Sequence, residues 1–183
     1  MSCEPTRLEM FLTRLVFLLY GKSVYREFAD ILPLEGGEQV LDFGCGMGTV
    51  AYYTAKRLPY GRLTCLDISE RWLNLCRKNL QCYENIDFLK DISAQLTDES
   101  FDVAYCHFVL HDISNSELET VIQALTKTFK PGGALVFREP LVDIEKISLI
   151  KKLMEQNRLQ SKYSRITDIP VMGSALESVY IKL

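Results

Sequence analysis

The stretch Val40-Leu41-Asp42-Phe43-Gly44-Cys45-Gly46-Met47-Gly48-Thr49-Val50 runs from a buried type of strand, through three alternating glycines, into a helical pattern. Glycine permits a tight turn and lets a ligand lie against the main chain, while a helix N-terminus beyond it favours an anionic group. A strand that ends this way marks a nucleotide-type pocket, although G-x-G-x-G alone also describes a plain tight turn. Asp67, 19 residues after Gly48, ends the next apolar run, where a carboxylate can accept hydrogen bonds from both hydroxyls of a ribose. The alternative for Asp67 is an acid capping the helix that opens at Ser69.

Outward from this segment, short β-rich runs alternate with longer segments of helical period, the signature of βαβ units and a parallel sheet covered on both faces. The pattern predicts strands at 39–43, 62–67, 86–89, 101–107 and 134–138. Leu118, Val121, Ile122, Leu125 and Phe129 form one helical stripe over 115–129, with Ser116 and Glu119 spaced as a capping box. Pro131-Gly132-Gly133 breaks that helix and feeds the next strand. Ser69 opens a helix through Leu80 whose buried side is Trp72, Leu73, Cys76 and Leu80. A further helix over 143–159 precedes extended runs at 163–169 and 176–182, which suit a closing antiparallel hairpin. Residues 1–37 read as a helical prefix and 38–183 as the core of a single α/β domain.

Composition agrees with a globular domain. Of 183 residues, 48% are apolar and 25% charged, and 21 basic against 24 acidic residues give a net charge of −3. A chain of this size buries roughly 70% of its unfolded surface, so its core needs no disulfide or metal. Basic residues are scattered, which gives no electrostatic footprint for nucleic acid. The six cysteines (Cys3, Cys45, Cys65, Cys76, Cys82 and Cys106) contain no C-x-x-C pair, and neither His107 nor His111 stands at zinc-ligand spacing from a cysteine, so no metal site is expected. Thiols inside apolar runs suit a reducing compartment, and the apolar run at 10–20, interrupted by Arg14, is too short to span a bilayer. A cytoplasmic protein without stable membrane insertion is the expectation.

The ordered set Leu41-Asp42-Phe43-Gly44-Cys45-Gly46-Met47-Gly48, Leu66-Asp67-Ile68-Ser69, Lys90-Asp91-Ile92, Phe101-Asp102-Val103 running to Leu110-His111-Asp112, and Phe129-Lys130-Pro131-Gly132-Gly133 resembles the class I S-adenosylmethionine-dependent methyltransferases. The resemblance extends from about Glu38 to the C-terminus, within the small-molecule branch that includes the ubiquinone and menaquinone biosynthesis methyltransferases. It implies a Rossmann-like, doubly wound seven-stranded sheet whose last strand is antiparallel. It also implies that Asp42 meets the methionyl ammonium and that Gly44, Cys45 and Gly46 form the loop on which the methionyl part lies. Asp67 would hold the ribose, Ile68 would pack on adenine, and Asp91 with the Ile92 backbone would contact the adenine amino group. Cys106 and His107 would line the methionyl end. The alternative for Asp91 is a turn cap, and for Cys106 core packing.

A dinucleotide-binding dehydrogenase is the competing reading of the loop and Asp67, but the spacing is not G-x-G-x-x-G and the later elements fit the methyltransferase pattern. The resemblance places His111 nearest the substrate mouth, as a candidate general base for an acceptor that must lose a proton. The alternative is an exposed or capping His beside Asp112 and Ser114. No Asn-Pro-Pro-Tyr or Asp-Pro-Pro-Tyr follows the fourth strand, which points away from nucleobase amines; the resemblance implies a small-molecule acceptor, and an apolar prefix acting as a lid would select a hydrophobic or aromatic one. Arsenic held by Cys3, Cys76 and Cys82 stays open on sequence alone. The prefix helices, 7–20 and 23–32, read either as an apolar lid or as helices packed on the sheet or on a second subunit. A protein of this fold that binds cofactor or a partner without turnover is the second functional class. Neither the acceptor nor the oligomeric state can be read from these residues.

Overall fold

The central strands are near-continuous apolar runs because helices cover both of their faces. In the computed structural model, which describes residues 4–90 and 97–183, β1 (Gln39–Phe43) pairs in parallel with β2 (Arg62–Leu66) and β4 (Phe101–His107). Outside them lie β3 (Ile86–Leu89) against β2 and β5 (Phe129–Pro140) against β4, both parallel. β7 (Gly173–Lys182) runs antiparallel to β5 and to the edge strand β6 (Leu159–Ile169). Among the described residues these form one seven-stranded sheet of order β3-β2-β1-β4-β5-β7-β6. The chain winds outward from β1 to β3 and returns across β1 to β4, so a crevice opens at the C-terminal ends of β1 and β4.

Alternate side chains of each strand feed two apolar layers. Val40, Leu63, Val103 and Tyr105 face one layer with α3 (Ala51–Thr54), α4 (Glu70–Leu80) and the prefix. Leu41, Ala104, Leu135 and Phe137 face the other, under α5 (Asn115–Lys127) and α6 (Ile144–Gln156). Asp42, in the same strand, therefore projects toward the first layer among apolar neighbours.

The expected strand order holds, with local differences: β6 starts at Leu159 rather than Tyr163 and β7 at Gly173 rather than Leu176, because the helix expected to reach Leu159 ends at Gln156. β2 ends at Leu66, and β5 starts at Phe129 rather than Ala134. Lys130-Pro131-Gly132-Gly133 is absorbed as an irregular start, where the register jumps from Phe101↔Phe129 to Val103↔Ala134 and Gly132 takes φ +77°. The capping box at Ser116 does not form, because Ser114 is the N-cap and Ser116 already lies in the first turn. The Ser114 hydroxyl instead bonds to the side chains of Glu117 and Ser116. Ser69 does cap α4, accepting from Trp72 N–H at 3.1 Å, with Leu73, Cys76 and Leu80 buried and Trp72 only half-buried.

The prefix is one bent rod rather than two separate helices. α1 (Arg7–Gly21) breaks helical geometry at Tyr20 and passes through a π-helical turn, Lys22–Arg26, into α2 (Glu27–Asp30). Its second half is core: Val24, Tyr25, Phe28 and Ala29 are buried. Arg138 fixes it there, donating to Val24 O at 2.6 Å and to Glu177 Oε2 at 3.0 and 2.6 Å, with its guanidinium 4.9 Å from the Phe28 ring centre. Arg165 adds a 2.6 Å bond to Glu177 Oε1, so β5, β6, β7 and the prefix share one buried ionic node. Among the described residues no helix is long and apolar enough to cross a membrane.

Removing one partner of a buried ion pair strands the other charge, which costs about 3–5 kcal/mol. Glu177→Gln is therefore expected to lower unfolding stability by about that amount, read as a fall in denaturant midpoint. An exposed pair such as Arg62 with Asp87 should cost under about 1 kcal/mol when cut.

Candidate cofactor and active site

At the C-terminal edge of β1 the chain turns sharply, and neighbouring strands satisfy the turn. Gly44 and Cys45 N–H both donate to Leu66 O, at 2.8 and 2.9 Å. Gly46 N–H donates to Asp67 Oδ2 at 2.8 Å, and the other Asp67 oxygen accepts from Ser69 N–H at 2.9 Å. Asp67 thus holds the glycine loop and the α4 entry together, while each of its oxygens keeps a further lone pair. Burial raises its pKa, against the lowering effect of these two N–H bonds.

The glycines are not equivalent. Gly44, at φ +79°, has no room for a side chain, since an added Cβ would lie 2.5 Å from Val109 Cγ2. At Gly46, at φ +53°, nothing lies within 4 Å of the same position, so its backbone presents an open surface. Ile68, beside Asp67, is 60% exposed although apolar, which suits a flat ligand face. Glu4 reaches this end of the site from the prefix, accepting from Ser69 Oγ, Glu70 N–H and Arg71 N–H at 3.0, 3.0 and 3.2 Å. Asp91 and Ile92 lie outside the described residues.

Asp42 is 2% exposed, and neither its Oδ2 nor the Tyr105 hydroxyl has a partner at full hydrogen-bond geometry, although the two stand close enough for the hydroxyl to favour the ionised carboxylate. Register places Asp42 between Cys65 and Tyr105. Burial lifts the Asp42 pKa well above the ordinary carboxylate value, with the Tyr105 hydroxyl opposing and the charges of Cys76 and Asp67 adding to the rise. A buried carboxylate oxygen without a full set of donors is costly.

The loop after β4 forms the opposite wall. Phe108 adopts φ +58°, a strained value for a non-glycine residue and one that clusters at functional sites. Glu139, fully buried at the end of β5, accepts from the N–H groups of Val109, Leu110 and His111 at 3.0, 2.7 and 3.3 Å, and its Oε2 stands 2.6 Å from His111 Nδ1. His111 Nε2 lies 3.3 Å from Asp112 Oδ1. Burial pulls the His111 pKa down, but the Glu139 hydrogen bond and charge, with Asp112, outweigh it and leave the value raised. Nothing in the spacing of Glu139 marked it, because its role depends on β5 lying beside β4.

His107 sits between Tyr25, Phe28 and Phe108, with ring centres 5.4, 4.8 and 4.5 Å away. Burial and the Arg138 charge press its pKa well below the ordinary value, so its imidazole is neutral. Cys106 points to the other face, fully buried among the apolar residues under α5 and α6, which is core packing rather than a pocket wall. Cys45, Cys65 and Cys76 converge instead, with their sulfur atoms within 4.8 Å of one another. Sequence spacing hid this cluster, because the three thiols come from a loop, a strand and a helix.

Two pH-linked outcomes follow. The folded pKa of Asp42 is raised, so ionising this acid costs the fold stability above the ordinary carboxylate value of about 3.9. Asp42→Asn should therefore stabilise the ligand-free protein at pH 7, by about 1.4 kcal/mol for each unit of the rise, and should give no gain below pH ~3.9, as read by thermal unfolding. The folded pKa of His111 is also raised, so its pairing stabilises fully below about pH 6.5 and fades as pH climbs through the folded value. Glu139→Gln should lower the His111 midpoint in an NMR titration; an unchanged midpoint would contradict the pairing.

Residues 40–133, just over half of the chain, match the family model described as a methyltransferase domain. A carboxy-S-adenosyl-L-methionine synthase from Wolinella succinogenes is 30% identical over 156 residues, covering 82% of this chain and 64% of that protein. A demethylmenaquinone methyltransferase from Tropheryma whipplei is 31% identical over 129 residues, covering 69% of this chain and 52% of that protein. The chain thus spans between about half and two thirds of the length of these two curated relatives. The crystal structure of an S-adenosylmethionine-dependent methyltransferase from Aquifex aeolicus superposes with a TM-score of 0.75 at 18% identity, over 95% of this chain and 98% of that one. With the strand order, the glycine loop and this match in hand, the chain belongs to the S-adenosylmethionine-dependent methyltransferase family.

Proposed function

We propose that the protein transfers a methyl group from S-adenosylmethionine to a small-molecule acceptor by in-line displacement. The observation that carries this reading is the unpartnered Asp42 Oδ2 beside the open backbone of Gly46. A primary ammonium at that point supplies the missing donor and holds the carboxylate ionised, which reverses the effect of burial. The residues present therefore fit the cofactor. Asp67 keeps lone pairs for the ribose hydroxyls, and exposed Ile68 offers the adenine a flat apolar contact.

When bound, the cofactor supplies a methyl group already activated on a sulfonium, so alignment and exclusion of water account for much of the rate. Val109 lies over Gly44, and the half-buried rings of the neutral His107 and of Phe108 form an aromatic surface at the end of β4, backed from the core by Tyr25 and Phe28. That surface favours an apolar or aromatic acceptor. The relative named for demethylmenaquinone supports this acceptor class.

His111 is the residue placed to take the acceptor proton. Glu139 fixes its Nδ1 side, so Nε2 is the nitrogen left to face an acceptor, in the arrangement of a base oriented by a carboxylate. Asp112 is exposed and free to swing from Nε2. A base positioned this way contributes about 10²–10⁴-fold.

Calorimetric titration should show saturable binding of S-adenosylmethionine and S-adenosylhomocysteine and none of NAD. Asp42→Asn should weaken both ligands by at least about tenfold, one lost charge-assisted hydrogen bond being worth about 1.5–3 kcal/mol, while the variant stays folded. Binding of NAD alone would overturn the assignment. With an acceptor found by screening, His111→Gln should lower kcat by about 10²-fold or more with little change in KM. An unchanged kcat would remove His111 from the chemistry.

A further inference from the structure

Cys45, Cys65 and Cys76 are all buried and come from three elements: the glycine loop, β2 and α4. Their sulfur atoms lie within 4.8 Å of one another. A thiol that serves only as a small hydrophobe packs against carbon, as Cys106 does on the other face of the sheet. Three thiols facing a common point need a different account.

The geometry points to a binding site for a soft, three-coordinate metal ion, of the class of Cu(I), held by the sulfur atoms of Cys45, Cys65 and Cys76 beneath the cofactor loop. In a triangle of side no more than 4.8 Å the corners stand at most about 2.8 Å from the centre, whereas a metal–thiolate bond is about 2.3 Å. Each sulfur need move by only about half an ångström. No His, Asp or Glu among the described residues joins the cluster as a fourth ligand. The space above is closed as well, because a Cβ added at Gly48 would already lie 2.9 Å from Cys76 Sγ and 2.8 Å from Leu80 Cδ1. Structural zinc takes four ligands in a closed tetrahedron, whereas thiolate sulfur selects Cu(I). As each metal–sulfur bond forms, that thiol releases its proton to solvent, and the metal keeps its oxidation state.

The position gives the site a consequence. Cys45 lies between the two glycines whose N–H groups bond to Leu66 and Asp67, and Cys65 is the register partner of Asp42. An ion joining the three sulfurs ties the cofactor loop to β2 and α4 and fixes the spacing of Gly46, Asp42 and Asp67. This inference concerns the loop's underside and stands whether or not an acceptor is found.

The test uses the reduced 183-residue chain under anaerobic conditions, with Cu(I) supplied as its bicinchoninate complex. One equivalent of Cu(I) should pass to each chain, with a new thiolate-to-metal band in the ultraviolet. Cys65→Ser and Cys76→Ser should each weaken retention at least 100-fold, and Cys82→Ser, at an exposed thiol, should leave it unchanged. A parallel titration with Zn(II) should show weaker retention. Should the serine variants fail to fold, alkylation of the wild-type chain in enough denaturant to open the metal-free protein decides: without Cu(I) the buried thiols should react, and with Cu(I) Cys45, Cys65 and Cys76 should be protected while Cys82 still reacts. Failure to withdraw Cu(I), equal retention by Cys76→Ser, preference for Zn(II), or protection of a different set of thiols would each overturn the assignment.

Discussion

The Asp67 carboxylate is the constraint on which the crevice depends. One oxygen fixes Gly46 and the other fixes Ser69, so a single side chain at the end of β2 sets both the glycine loop and the N-terminus of α4. Backbone N–H groups in tight turns lack partners within their own segment and must be satisfied by neighbours when buried. Leu66 O serves Gly44 and Cys45, and Asp67 serves the next donor along. The loop is therefore shaped by β2 as much as by its own glycines.

Three acids with low exposure, Asp42, Asp67 and Glu139, meet at this edge of the sheet, and each is treated differently. Glu139 is saturated by three N–H groups and a histidine, and so it is a positioning residue for the loop after β4. Asp67 is half-used, with lone pairs to spare. Asp42 has an oxygen with nothing to accept from, and burial holds its carboxyl toward the protonated form. Three carboxylates at one sheet edge thus differ in how fully their oxygens are satisfied, which residue type alone does not reveal.

Most of the fold was legible because its signals are local. Period-two and period-3.6 patterning located the strands and helices, and the glycine turn set the connection after β1. What misled is local too: the Pro-Gly-Gly segment reads as a break, yet pairing with β4 draws it into β5 as an irregular start, since tertiary partners override a turn propensity. The site was legible only in part. Asp42, Gly46 and Asp67 are marked by spacing within a motif, whereas Glu139, Glu4 and the meeting of Cys45 with Cys65 and Cys76 arise from contacts between segments far apart in sequence. Cys106 and His107 are chain neighbours that the sheet sends to opposite faces, a consequence of the alternation of side chains along a strand.

The prefix differs in its packing along its length. From Val24 onward it is part of the core, held by Arg138 and by Arg57, which donates to Ala29, Leu32 and Leu34 carbonyls. Before that, α1 is tied at its start by Glu4 on the α4 N-terminus and near its end by Phe17 among Tyr25, Tyr52 and Tyr53. Only Gly21 of its 15 residues is buried. A helix with so little buried surface draws little stability from packing, and local opening occurs where apolar contacts are few. The non-helical Tyr20 and the π turn after it separate this segment from the fixed one, and such breaks are where helices bend. Because Glu4 bonds to the same Ser69 that Asp67 positions, any movement of α1 about that bend begins at the Asp67 end of the crevice.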